Sequence, residues 1–266
     1  MEAHYSLLLF FSLLLGEVIG TNISIQAQMF GDVHHIQLGK EEAPYGNPDV
    51  SGVAAFLYQS DDQYSDISLV TNIFNALGVT DRKFTVWLGP HKPPSQNFSE
   101  AALSFGGLDK THCSSVVNFE FFDDIPNFTV YQVVSGTFSS DTDGMSAYVD
   151  TGLPTIAFHS EIYRALFQQI NPDYDWDLGL LTTPCSANAS LPSWVFSLSG
   201  ADYSVPPSNY VVDLDIDGGE TCAVALEVLQ DGWLYADIVL GNPFVRSACV
   251  VYDLDNDAIG FANVLA

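Results

Sequence analysis

Tyr148-Val149-Asp150-Thr151-Gly152 reads as a buried strand that hands a carboxylate to a tight loop. Glycine at the third loop position lets backbone N–H groups approach the carboxylate, and threonine at the second offers a hydroxyl to tie the loop in place. Three loop residues alone fit an aspartate capping a turn equally well. A second segment bears on the choice: Ile238-Val239-Leu240-Gly241 is an apolar strand ending in glycine, able to cross beside such a loop without a colliding side chain.

Around these segments, the 266 residues contain 47% hydrophobic and 13% aromatic side chains with 15% charges. That is a globular profile, long enough to bury a sizeable core. Lys+Arg 7 against Asp+Glu 33 gives a net charge of -26, which repels phosphate backbones and anionic lipid, so no nucleic-acid partner is expected. The excess of carboxylates suits an acidic compartment, where protonation relieves it.

Short β-rich runs dominate, as at Phe84 to Leu88, Val116 to Phe122, Val211 to Ile216 and Cys249 to Tyr252. Helical spacing occurs at Ile67, Val70, Phe74 and Leu77, behind Ser65, and at Ile162, Ala165, Leu166 and Ile170, after Ser160. A mostly β body with a few short helices follows.

Other chemistries find no ligand set or context. Asp213-x-Asp215-x-Asp217-Gly218 opens like a calcium loop, but Val224 stands where a bidentate glutamate is required, and Val212, Leu214 and Ile216 suit a strand with one acidic face. His34, His35, His91, His112 and His159 are scattered without HExxH or cysteine partners, so no metal and no cofactor are expected. No G-x-S-x-G elbow occurs. Gly106-Gly107 and Gly218-Gly219 read as turns, and Trp87, Trp176, Trp194 and Trp233 as core or cleft-wall residues. Cys113, Cys185, Cys222 and Cys249 lack CxxC spacing, which favours paired disulfides over zinc.

The order of segments from about residue 100 onward resembles the carboxyl-terminal lobe of the pepsin-like aspartic peptidases. Ser104-Phe105-Gly106-Gly107-Leu108-Asp109 is similar to the strand connecting the family's lobes, and Tyr148 to Gly152 to its second catalytic loop. Cys185-Ser186 with Leu191-Pro192, and Tyr203-Ser204-Val205-Pro206-Pro207-Ser208-Asn209-Tyr210, resemble its disulfide-closed segment and proline-containing strand. Ile238 to Arg246 and Val251 to Ala262 resemble its closing strands. Upstream, Gly16 to Gly31 and Asn72 to Leu88 are similar to parts of the first lobe. Asp49 to Ala54 keeps an aspartate there but not the family's strand pattern.

The resemblance implies a pepsin-like acid protease fold: a truncated amino-terminal lobe over 21–112 and a complete carboxyl-terminal lobe over 113–266, together one peptidase-like domain. It implies Asp150 as a catalytic residue supported by Thr151 and Gly152, with bridges Cys185 to Cys222 and Cys113 to Cys249. It also implies a peptide or protein ligand. The sequence holds no second Asp-Thr-Gly or Asp-Ser-Gly. The family's reaction needs one carboxylate to draw a proton from water while its protonated partner donates to the scissile carbonyl, and one group cannot hold both states together. Leu153 stands where the family typically has a hydroxyl, and Pro154 removes a backbone donor. The expectation is an aspartic endopeptidase by family whose isolated monomer is inactive or very weak; the alternative is a non-catalytic descendant that keeps the cleft for partners. A homodimer pairing two copies of Asp150 is not expected, because residues 22–109 would occupy its docking surface.

Leu7 to Leu15 is an apolar run followed by Val18 and Gly20, which reads as a secretory signal over 1–20 and is too short to span a bilayer. With sequons at Asn22, Asn97, Asn127 and Asn188, it leads to an expectation of a secreted or lysosomal glycoprotein.

Overall fold

A computed structural model describes residues 73–75, 77–93, 100–116, 118–122, 127–140, 144–215, 217–229 and 236–265, together with the backbone of strands 10–11, 25–30, 33–38 and 54–55. Outside the described residues lie Leu7 to Leu9 and Ser12 to Leu15 of the signal reading, the cleavage region, Asn22, Asn97, Ile216, Trp233, Asp49 to Val53, and the first turns of the helix predicted from Ile67.

Strands dominate, as composition and turn spacing predict. One sheet of seven strands runs in the order Ile25–Phe30, Val33–Leu38, Ala101–Phe105, Lys83–Leu88, Ala248–Asp253, Ala258–Asn263 and Phe119–Phe121. Its central antiparallel contact sets Val86 opposite Val250 and Tyr252 opposite Phe84, so the chain's first third shares a sheet with its end. The strand Ala248–Asp253 is buried along its whole length, and Phe84 stacks on Tyr252 at 4.7 Å between ring centroids. The Cys113–Cys249 disulfide ties the segment after Ala101–Phe105 to this closing strand, and Cys113 also bridges to Val264.

A second sheet carries the loop of interest. Its order is Ala201–Val205, Trp194–Leu198, Phe128–Ser135, Met145–Val149, Ile238–Leu240, Ile156–Phe158 and Leu226–Val228, with Phe138–Ser139 paired to Phe128–Ser135. Trp194, Phe196 and Leu198 alternate inward, as expected of a sheet with one buried face. Trp194 stacks on Tyr210 at 3.9 Å, and the Tyr210 hydroxyl donates to the Pro192 carbonyl. The Tyr203 hydroxyl donates to the Phe261 carbonyl at 3.0 Å, and burial pushes its pKa up to about 12. A third, four-stranded sheet orders Asp173–Asp175, Leu180–Pro184, Thr221–Val224 and Val211–Asp213, and the Cys185–Cys222 disulfide fastens it. Both disulfides are the pairs implied by the family resemblance.

The helix Ser160–Ile170 packs Ile162, Leu166 and Ile170 into the core, one buried residue per turn. His159 rather than a hydroxyl residue caps it, its Nδ1 accepting the Glu161 N–H at 3.3 Å, and Asn171 in the left-handed region closes it with an N–H donated to the Phe167 carbonyl. Gly106, Gly107, Gly218 and Gly219 all have positive φ, which is the turn role read from their sequence.

Three readings need correction. Within the predicted run Val116 to Phe122, the strand among the described residues is Phe119–Phe121 alone. The strand beginning at Val211 ends at Asp213, short of the predicted run, because the Asp213 carboxylate accepts the Asp215 N–H at 2.8 Å and Asp215 turns to φ 60°. Trp176 is 85% exposed and fills no core, whereas Trp87 and Trp194 are buried. Among the described residues, no helix is long and apolar enough to cross a membrane.

Candidate functional site

Asp150 leaves the sheet at the end of Met145–Val149, which runs parallel to Ile238–Leu240 with Val149 opposite Leu240. The Asp150 N–H donates to the Leu240 carbonyl at 3.0 Å, so the last ladder bond fixes where the carboxylate emerges. The chain then turns: the Leu153 N–H donates to the Asp150 carbonyl, and the Gly152 N–H donates to Asp150 Oδ1 at 2.7 Å. Burial pushes the Asp150 carboxyl above its ordinary pKa, against the opposing pull of the Gly152 and Leu153 N–H groups.

Gly241 meets the requirement read from sequence. A Cβ there would stand 2.0 Å from the Thr155 carbonyl oxygen and 2.3 Å from that of Leu153, so the loop and the crossing strand fit only around glycine. The next residue clasps them together, the Asn242 N–H donating to the Leu153 carbonyl at 2.8 Å. On the other side of the loop, the Ile156 N–H donates to the Ala225 carbonyl and Thr155 Oγ1 donates to Glu227 at 2.9 Å.

Thr151 is only 4% exposed, and among the described residues its hydroxyl has no hydrogen-bond partner. Such an oxygen costs free energy on the order of 1–3 kcal/mol unless something outside this loop bonds to it. Asn242 Oδ1, also buried, is in the same condition. Tyr252 lies in the core close enough to Asp150 that burial and then the Asp150 charge both raise its hydroxyl pKa. Sequence reading missed Asn242 and Tyr252. Asn242 directly follows a glycine already singled out, while Tyr252 reaches the site through sheet pairing that no local pattern reveals.

Of the other candidate positions, Asn127 is exposed just before its strand, its side chain bonded to Tyr148, and Asn188 is half-buried in the 3-10 turn Cys185–Ala189. His91 and His112 do not converge: His91 Nε2 bonds the Asp213 carbonyl at 2.9 Å, and His112 Nδ1 bonds Asp109 at 2.7 Å. Among the described residues, the group closest to a metal site is Cys185, Asp213 and Cys222, and its sulfurs are consumed by the disulfide.

A sheet-borne Asp-Thr-Gly loop braced by a parallel strand that ends in glycine is the arrangement of an aspartic peptidase lobe. Residues 15–264 match the family described as eukaryotic aspartyl protease, and the chain belongs to that family. It is 26% identical to aspartic protease 1 of Caenorhabditis elegans over 250 residues, covering 91% of this chain and 60% of that protein. Aspartic protease 10 of the same organism is 30% identical over 202 residues, covering 73% of this chain and 45% of that protein. Pepsin A of Bos taurus is 27% identical over 217 residues, covering 80% of this chain and 56% of that protein. The chain thus spans about half the length of the curated relatives it matches.

Proposed function

We propose that this chain supplies one carboxylate, Asp150, and one wall of the peptide-binding cleft of an aspartic-type endopeptidase, and that as an isolated monomer it does not turn over peptide. The observation that carries this reading is Asp150 itself: a sheet-borne loop delivers its carboxylate, which the Gly152 N–H holds at 2.7 Å, and the sequence has one Asp-Thr-Gly. The reading assigns the second aspartate to a second loop, as the family's reaction requires. With one carboxylate, the raised pKa of Asp150 gives a group that can be acid or base but not both in one turnover.

A second reading, a non-catalytic relative with a partner-binding cleft, is favoured by Leu153, which brings an aliphatic side chain where a hydroxyl would bond the carboxylate. Passage through a secretory route, with glycosylation at the sequons, accords with the two disulfides.

The test is cleavage of denatured protein at acidic pH across a concentration series, with pepstatin and with Asp150→Asn. The purified monomer is expected to match Asp150→Asn. Pepstatin-sensitive activity that vanishes in Asp150→Asn, at concentrations where sedimentation shows only monomer, overturns the reading.

A further inference from the structure

Half of the large hydrophobic side chains that stand exposed among the described residues fall within one hairpin: Tyr174 at 48%, Trp176 at 85%, Leu178 at 40% and Leu180 at 37%. Scattered exposed apolar residues are ordinary, but four inside one turn form a patch. The hairpin is well built. Asp173 pairs with Thr182 and Asp175 with Leu180, Asp175 Oδ1 accepts the N–H groups of Asp177 and Leu178, and Gly179 takes φ 69° to close the turn. Tyr174 and Trp176 meet edge to face at 4.8 Å, presenting ring surface to solvent. Asp173–Asp175 is the terminal strand of the four-stranded sheet, paired on one side to Leu180–Pro184 and to no other strand among the described residues.

We propose that this hairpin is a docking strip for an extended, Lys/Arg-rich segment of another protein, added to the edge strand Asp173–Asp175. Charge decides the occupant. Asp173, Asp175 and Asp177 alternate with Tyr174, Trp176 and Leu178, and no lysine or arginine stands between Arg164 and Arg246. Alternation along the strand sets exposed aromatic surface on one face and carboxylates on the other. Cationic side chains are drawn to the first by cation–π contact and to the second by Coulombic attraction, and an open strand edge offers the backbone ladder for an extended peptide. A second copy of this chain brings a net charge of -26 against -26 and is repelled. Nor does this chain hold a suitable segment. Its one adjacent basic pair is Arg82-Lys83, and Lys83 is already bonded to Asp81 and Asp253. The strip makes no use of Asp150, so its test is independent of proteolysis.

The experiment measures, by fluorescence anisotropy, binding of the labelled peptide Lys-Val-Arg-Val-Lys-Val to the whole chain. The comparison peptides are its Glu-for-basic counterpart and a version N-methylated at alternate amides. Expected are saturable binding of the basic peptide, at least tenfold weaker binding of both comparison peptides, and a loss of at least tenfold in Trp176→Ala. Because Trp176 is exposed, Trp176→Ala should keep the parent's circular dichroism and Tm; Tyr174→Ser provides a second, independent variant. Equal binding of the Glu peptide, unchanged affinity in folded Trp176→Ala and Tyr174→Ser, or concentration-dependent self-association through the hairpin would each overturn the proposal.

Discussion

Gly241 and Thr155 approach so closely that a single added methyl group would stand 2.0 Å from the Thr155 carbonyl oxygen. Gly241 itself has φ -93°, a conformation open to any residue, so the demand for glycine is purely steric. Backbone atoms on both sides cannot yield as a flexible side chain would.

Gly241→Ala should therefore destabilise the fold by about 3 kcal/mol or more, a cost reserved for backbone and core disruption. Chemical denaturation of the purified variant measures it. Gly200→Ala is the control: nothing lies within 4 Å of its Cβ position, and only the φ of 76° opposes the change. A loss at Gly241 no larger than at Gly200 would contradict the close approach.

Asp150 yields a pH-dependent prediction. Its folded pKa is raised, so the native state bears a penalty that is absent while the carboxyl is protonated and grows as pH rises from the unfolded value toward the folded one. Asp150→Asn, whose amide oxygen can still accept the Gly152 N–H, should raise Tm by about 1–4 °C at pH 7. The two proteins should melt together below about pH 3. Calorimetry over that range checks the sign.

Asp109 behaves in the opposite sense. Burial alone would raise its carboxyl, but bonds from His112 and from the Thr111 and His112 N–H groups hold it below the usual carboxylate range. The stability it contributes is present above the unfolded carboxylate pKa and lost as pH falls through the lower folded value. Asp109→Asn should cost about 2–3 kcal/mol at neutral pH. That difference should shrink on acidification, as seen in urea midpoints.

The Cys185–Cys222 bridge closes a loop with sequence separation 37 and fastens the four-stranded sheet to the 3-10 turn. Replacing both cysteines with alanine should cost about 4 kcal/mol in the chain-entropy picture, and about 5 kcal/mol for Cys113–Cys249 with its separation of 136. Non-reducing peptide maps that linked Cys113 to Cys185 would contradict both.

What could be read in advance was local. Ile162, Leu166 and Ile170 announced a helix through their spacing, and Gly241 announced a close crossing because a glycine ended an apolar strand. The partners of Lys83–Leu88 could not be read, since nothing in its own residues names Ala248–Asp253 as its neighbour. The hairpin from Asp173 escaped notice for a related reason. Aspartates alternating with aromatics satisfy no rule for a half-buried strand when both faces meet water. Asn242 and Tyr252 enter the Asp150 site through the packing of strands distant in sequence, which periodicity does not encode.

The central contact of the seven-stranded sheet sets a schedule for synthesis. Lys83–Leu88 leaves the ribosome long before Ala248–Asp253 exists, and at 5–20 residues per second the interval from Val86 to Val250 is roughly 10–30 s. Throughout it, an apolar strand waits with one edge unpaired, and only synthesis of Ala248–Asp253 can cover it. Nascent chains halted before residue 248 should accordingly bind holdase chaperones and aggregate, whereas chains halted just after the closing strands should be released from them.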